Sequence, residues 1–238
     1  MNKDFKIKKN IREAETLPAD FYRSEEVFEA IKEKIFLRTW QWIGDEGLLP
    51  FNEHVYPFIF LENYINEPLV LVRDKEQNLM CFSNVCTHRG NIVVLNPGKM
   101  STMRCMYHGR RFNLDGSFKS MPEFEEAENF PRPCDDLREF PVRLMNPFIF
   151  VGLNPAFDLD DVIKIMVERI GFLPLHQFKE DKSRHKDYLV NCHWALYIDN
   201  YLEGFHIPFV HDDLNAVLDY SNYTTELHDY LSLQVGHA

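Results

Sequence analysis

The sequence predicts an α+β chain, and three observations carry that expectation. From Thr39 to about Leu153, short apolar runs alternate with turn-rich segments, which is the texture of β-structure. A helical periodicity stands before this stretch and another follows it. Near the end, Thr224–Val235 alternates polar and apolar residues, the period of strands in a new sheet. The expected organisation is a helical segment (1–38), a β-domain (39–154) and a third portion (155–238). With 45% apolar and 14% aromatic residues, the chain can fill a core, and a disordered chain is excluded.

The elements follow in order. After a polar start, Leu17-Pro18-Ala19-Asp20 leads into a helix over Ser24–Arg38, where Phe28, Ile31, Ile35 and Phe36 recur at three- and four-residue spacing. Ser24 can cap that helix, and Glu25 and Glu26 suit its first turn. Strands are expected at Trp40–Ile43, Leu69–Val72, Met80–Phe82 and Phe148–Val151, with turns at Asp74–Asn78 and Asn113–Gly116. Asn154-Pro155 marks a boundary, after which Leu159–Ile170 reads as an amphipathic helix stopped by Gly171. Arg184–His193 reads as a strand and Trp194–Phe205 as a helix.

Net charge of −11 argues against a nucleic-acid partner, and the basic run Lys6 to Lys9 is a solvated terminus. The opening MNKDFKIKKNIREAE has no apolar signal core, and no apolar run approaches membrane-spanning length. Five cysteines without a disulfide-framework spacing point to a reducing compartment, so a cytoplasmic protein with no membrane partner is expected. Cys81, Cys134 and Cys192 are expected as small buried side chains.

Chemistry concentrates in Cys86-Thr-His-Arg-Gly and Cys105-Met-Tyr-His-Gly. Cys86 and His88 form a C-x-H pair, and Cys105 and His108 form a C-x-x-H pair. Two thiolates and two imidazoles fit a Rieske [2Fe–2S] cluster, in which one iron takes two Cys and the other two His. Gly90 and Gly109 stand where backbone would pass close to such a cluster. A structural zinc site uses the same donor types, but it normally pairs Cys with Cys and His with His. Here each half mixes one of each, which favours the iron–sulfur reading. Both motifs are expected in loops on the sheet scaffold.

A second constellation is Asp199-Asn-Tyr-Leu-Glu-Gly-Phe-His-Ile-Pro-Phe-Val-His211. Glu203 and His206 are three apart, so on a helix they share a face. Pro208 breaks the helix, which lets His211 come round beside His206. Two converging His suggest part of a 2-His-1-carboxylate iron site. The same residues on an amphipathic helix can equally be surface or core groups, and the neighbouring cluster motif is what favours iron.

The two motifs in this order resemble the Rieske non-haem iron oxygenases, the aromatic-ring-hydroxylating dioxygenase α-subunit family. CTHRG…CMYHG is similar to C-x-H-R-G…C-x-Y-H-G, and DNYLEGFHIPFVH to N-x2-[DE]-x2-H-x4-H. The wording is nearest the choline/carnitine monooxygenase-like branch, where Glu can replace the usual bridging Asp.

The resemblance implies an antiparallel β Rieske domain followed by the start of a helix-grip (START-like) catalytic domain. Cys86, His88, Cys105 and His108 would bind the cluster, and His206 and His211 a mononuclear Fe(II). Glu203 would bridge His206 to a neighbouring subunit's cluster histidine, the position of His108. Electrons would come from NAD(P)H through a ferredoxin or flavin reductase, O2 and a small organic substrate would react at the iron, and the subunits would form a homotrimer. Arg110 stands where the family commonly has Trp, and Met106 where it often has Pro, both expected on the outer face of the cluster. The family's third iron ligand would lie beyond residue 238, so the chain reads as a truncated α-subunit. A stand-alone Rieske electron-transfer protein is the alternative.

Overall fold

The computed structural model describes residues 5–237, so the first four residues of the opening segment lie outside the described part. The chain divides into two compact units, Lys32–Lys182 and Met1–Ile31 with Ser183–Ala238. The boundary expected at Asn154-Pro155 falls inside the first of these.

In that unit the strands are β1 (Trp40–Asp45), β2 (His54–Phe60), β3 (Glu67–Arg73), β4 (Leu79–Ser83), β5 (Gly98–Lys99), β6 (Met103–Arg104), β7 (Arg111–Phe112), β8 (Phe118–Ser120), β9 (Glu139–Phe140), β10 (Val142–Met145) and β11 (Phe148–Gly152). They form three antiparallel sheets, ordered β5-β2-β3-β4-β9, β1-β11-β10 and β6-β7-β8.

Strand β3 explains the layering. Val70 and Val72 point into one core with Val55, Phe82, Met103 and Phe112, while Leu69 and Leu71 point into another with Phe60, Phe140, Ile149 and Val151. Both faces are covered, which is why β3 reads as a continuous apolar run. Each such side chain contributes about 1.5–3 kcal/mol by leaving water. The first core also holds Cys86 and Cys105 and so sets the floor of the candidate site.

In this unit the expected strands all form, while β2, β10 and the short β5, β6, β8 and β9 were not anticipated. Pro57 in β2 has no N–H to give a ladder, and on the β5 side only His54 and Val55 are paired. Helix α3 (Leu159–Ile170) is as expected, with Asp158 capping it and Gly171 ending it.

The other unit begins with α1 (Ala19–Arg23) and α2 (Glu25–Lys34); the Ser24 hydroxyl accepts from the Val27 N–H at 3.4 Å. The helix is shorter than expected, giving way after Lys34 to a 3-10 turn over Phe36–Arg38. Arg184–His193 is a correction: it forms no strand, and residues 184–192 stay exposed, since no other described segment pairs with it. Next come α4 (Trp194–Tyr201), α5 (Ile207–Val210), α6 (Asp212–Val217) and a hairpin of β12 (Thr224–His228) and β13 (Leu231–Val235). Helix α4 stops four residues short of the expected end at Phe205. His193, at its start, packs against Phe21, Tyr22 and Phe28 with ring centroids 5.6–5.8 Å away. No described helix is long and apolar enough to cross a membrane.

Candidate metal centres

The two Cys-His motifs fold into matching loops. In the first, the Cys86 N–H donates to the Asn91 carbonyl at 2.8 Å and the Gly90 N–H to the Cys86 carbonyl at 2.9 Å. The second repeats this: Cys105 N–H to the Arg110 carbonyl at 2.8 Å, Gly109 N–H to the Cys105 carbonyl at 3.0 Å. Gly90 and Gly109 share a φ of +74°, which L side chains rarely adopt, so each loop needs its glycine to close. A bridge between Val85 and Ile92 closes the base of the first loop, and the Arg104–Arg111 pair closes the second.

Asn84 is a functional residue the sequence reading passed over. It is buried, and its amide donates to the Val94 carbonyl while its Oδ1 accepts from the Val94 N–H, both at 2.8 Å. That staples the two ends of the first loop. A polar side chain just before a ligand motif was the available signal.

The donors converge. Both thiols are buried, at 3% and 2% exposure, while the imidazoles are partly open with His88 and His108 ring centroids 4.7 Å apart. His88 Nδ1 is buried and takes no hydrogen bond, which suits a ring nitrogen reserved for a metal. Burial lowers the His88 pKa, and His108, Arg89 and Arg110 lower it further, which favours the neutral ring that a ligand needs. Burial pushes the Cys86 thiol up. At Cys105 burial acts the same way but is outweighed by donors at the sulfur: the N–H groups of Tyr107 and His108, Cys86, and the Asn91 amide at 3.6 Å. Its thiol therefore ionises more readily than usual. Two thiols and two imidazoles are the donor set of a pair of irons with mixed Cys and His ligation.

Two expectations near the cluster loops are corrected. Met106 is exposed as an outer-face residue should be, but Arg110 is buried at 2%. Its guanidinium lies inside, paired with Asp135. Cys81 is buried, whereas Cys134 and Cys192 are exposed, Cys134 because it sits on a surface 3-10 turn and Cys192 because its segment forms no strand.

The second constellation lies where α4 gives way to a turn. Glu203 is therefore not on a helix with His206, yet the two meet: His206 Nδ1 is 2.5 Å from Glu203 Oε1. Glu203 Oε2 accepts from the Phe205 N–H, so both carboxylate oxygens are engaged. Burial would raise the Glu203 pKa, but those hydrogen bonds hold it below the ordinary range. An ionised carboxylate can only accept, so His206 donates from Nδ1 and keeps the Nε2 lone pair for a metal. Pro208 sits in the first turn of α5, which ends at Val210 and leaves His211 in the link to α6. The His206 and His211 ring centroids are 5.1 Å apart. A cavity of about 360 Å³ opens here, lined by Tyr201, Glu203, His206, His211, Leu218 and Tyr223. Asp212 and Asp213 are exposed in the first turn of α6, and Asp219 caps a 3-10 turn.

Residues 40–131 match the Rieske [2Fe-2S] domain family. Over nearly its whole length the chain is similar to choline and carnitine monooxygenases. It is 30% identical over 223 residues to the chloroplastic choline monooxygenase of Beta vulgaris, covering 90% of this chain and 48% of that protein. It is 29% identical over 236 residues to the carnitine monooxygenase oxygenase subunit of Escherichia coli, covering 96% of this chain and 61% of that protein. Among solved structures, the quaternary ammonium Rieske monooxygenase CntA superposes with a TM-score of 0.75 at 25% identity, over 92% of this chain and 60% of that one. The chain thus spans about half to three fifths of the length of the curated relatives it matches.

Proposed function

We propose that this chain is part of a Rieske-type oxygenase α-subunit acting on an organic substrate. The observation that supports it most is the pairing of a two-Cys, two-His loop site with a carboxylate-oriented His pair in one chain. A [2Fe–2S] cluster held by Cys86, His88, Cys105 and His108 would supply one-electron transfer, and an Fe(II) at His206 and His211 would supply O2 activation.

The residues themselves do the positioning. The buried thiols exclude water from one side of the cluster site, and the partly open imidazoles face outward, where electrons can enter and leave. Glu203 fixes the His206 ring and its tautomer, and it is suited to receive a neighbouring subunit's His108 in a homotrimer. A structure of CntA is described in terms of inter-subunit electron transfer. The electrons would come from NAD(P)H through a ferredoxin or flavin reductase, and a reducing cytoplasmic compartment suits the cluster.

The relatives act on choline, carnitine or, in CntA, quaternary ammonium compounds, so aromatic-ring hydroxylation gives way to a quaternary ammonium substrate. The test is anaerobic purification, followed by iron and acid-labile sulfide analysis and reductase-driven, O2-dependent turnover of choline, carnitine and γ-butyrobetaine. Turnover of any of them, with iron above two per chain, supports the reading. The alternative, a Rieske electron-transfer protein without oxygenase activity, draws on Glu203, whose two oxygens are engaged by His206 and the Phe205 N–H. It predicts a reducible cluster, two irons per chain and no turnover.

A further inference from the structure

We propose that Arg110 is a positioning residue: its buried positive charge raises the reduction potential of the cluster, and through Asp135 it clamps the two cluster loops together. This rests on the cluster reading above.

The geometry carries both parts. Arg110 closes the second loop with its own carbonyl, which accepts from Cys105, and then turns its side chain inward. Its Nη2 lies 2.8 Å from Asp135 Oδ1 and 3.1 Å from the Asp135 carbonyl. That carbonyl also accepts from the Thr87 hydroxyl at 2.7 Å, and Thr87 stands between Cys86 and His88 in the first loop. One residue therefore ties both loops at a single point. The guanidinium is further boxed by the rings of Phe118, Phe130 and Phe112 at 4.9, 5.6 and 5.7 Å, which favour a cation at their faces.

The charge balance leaves a positive excess. Asp135 is shared: its Oδ2 accepts from the Arg132 N–H at 2.8 Å and lies 3.7 Å from the Arg132 guanidinium. Two cations thus answer one carboxylate. The guanidinium lies beside the first loop, because Arg110 and Thr87, the residue between Cys86 and His88, meet at the same Asp135 carbonyl. Cluster reduction adds one electron with no bond made or broken, so the site gains one negative charge. A fixed cation in a water-poor pocket stabilises that reduced form.

The experiment is a redox titration of the anaerobically purified chain with dithionite, followed by visible and EPR spectra, with iron and sulfide counted in each variant. Arg110→Gln should make reduction about tenfold less favourable, equivalent to about 59 mV for a one-electron couple. Arg110→Lys, which keeps the charge, should stay close to the unaltered chain. Asp135→Asn should move the potential upward, opposite to Arg110→Gln. A clamp without an electrostatic role predicts no opposed shifts, so an unmoved potential in Arg110→Gln, or shifts of one sign in all three variants, overturns the proposal. If Arg110→Gln fails to retain the cluster, the other two variants decide it by the same signs. An unaltered chain without iron and sulfide overturns the cluster reading and this inference together; a normal Rieske spectrum with an unmoved potential overturns this inference alone.

Discussion

Asn84 and Glu203 each engage both ends of a polar side chain, and each thereby fixes a ligand segment that has no regular structure of its own. Asn84 makes two buried hydrogen bonds to the Val94 backbone. Asn84→Ala should cost about 2–3 kcal/mol, since it leaves the Val94 N–H and carbonyl unpaired inside. Urea unfolding read beside cluster content would check this, with lower cluster occupancy expected at equal expression. Glu203 instead acts on the metal side. Glu203→Gln should leave the cluster spectrum unchanged and weaken Fe(II) binding at His206 by about 10- to 100-fold. An Fe(II) titration of chain stripped of mononuclear iron would show it, and an unchanged affinity would remove the orienting role. Glu203 was legible because its spacing to His206 is part of a motif. Asn84 was not, because a lone Asn carries no signal until burial is known.

At the level of elements, the short turn between α4 and α5 matters more than the helices it joins. A Cβ on Gly204 would lie 2.7 Å from the Tyr223 ring. The Tyr223 hydroxyl donates to Gln234 Oε1 at 3.1 Å, so the ring is not free to swing away. Gly204→Ala should therefore cost about 1–3 kcal/mol by overpacking. It should also lower mononuclear iron while sparing the cluster, which metal analysis and a melting curve would report together. Four of the longer strands of the larger unit, β1, β3, β4 and β11, were legible, since apolar runs and turn residues agree there. Strand β2 carries Pro57, whose cost depends on whether a neighbour needs the missing N–H, and the chain order alone does not say. The stretch 184–193 misled for the converse reason: local β-propensity without a partner makes no strand.

For the molecule as a whole, two compact units come from one chain, and one of them joins segments far apart in sequence. Residues 1–31 belong with 183–238. The Tyr22 hydroxyl donates to Asp199 Oδ2 at 2.5 Å. Its pKa is pushed up to about 12, first by that hydrogen bond and then by burial. Tyr22 ionises more readily in the unfolded chain, near pH 10. The stabilisation is therefore complete below that pH and is lost as pH rises through about 12. Tyr22→Phe should be less stable at neutral pH and should show a shallower alkaline loss across that window. Urea midpoints measured against pH would reveal it, and parallel curves for the two proteins would count against the bond.

The sequence by itself determined which residues are candidate donors and in what loops they stand, because ligation and tight turns depend on residue type at short spacing. It also determined strands β1, β3, β4 and β11, the closing hairpin stretch and helix α3, whose patterns are local. Only the tertiary structure decided that Arg110 lies inside against Asp135, that Asn84 staples a loop, and that the N-terminal helices join the last portion of the chain. Those outcomes depend on which distant surfaces bury one another, and no spacing along the chain encodes that.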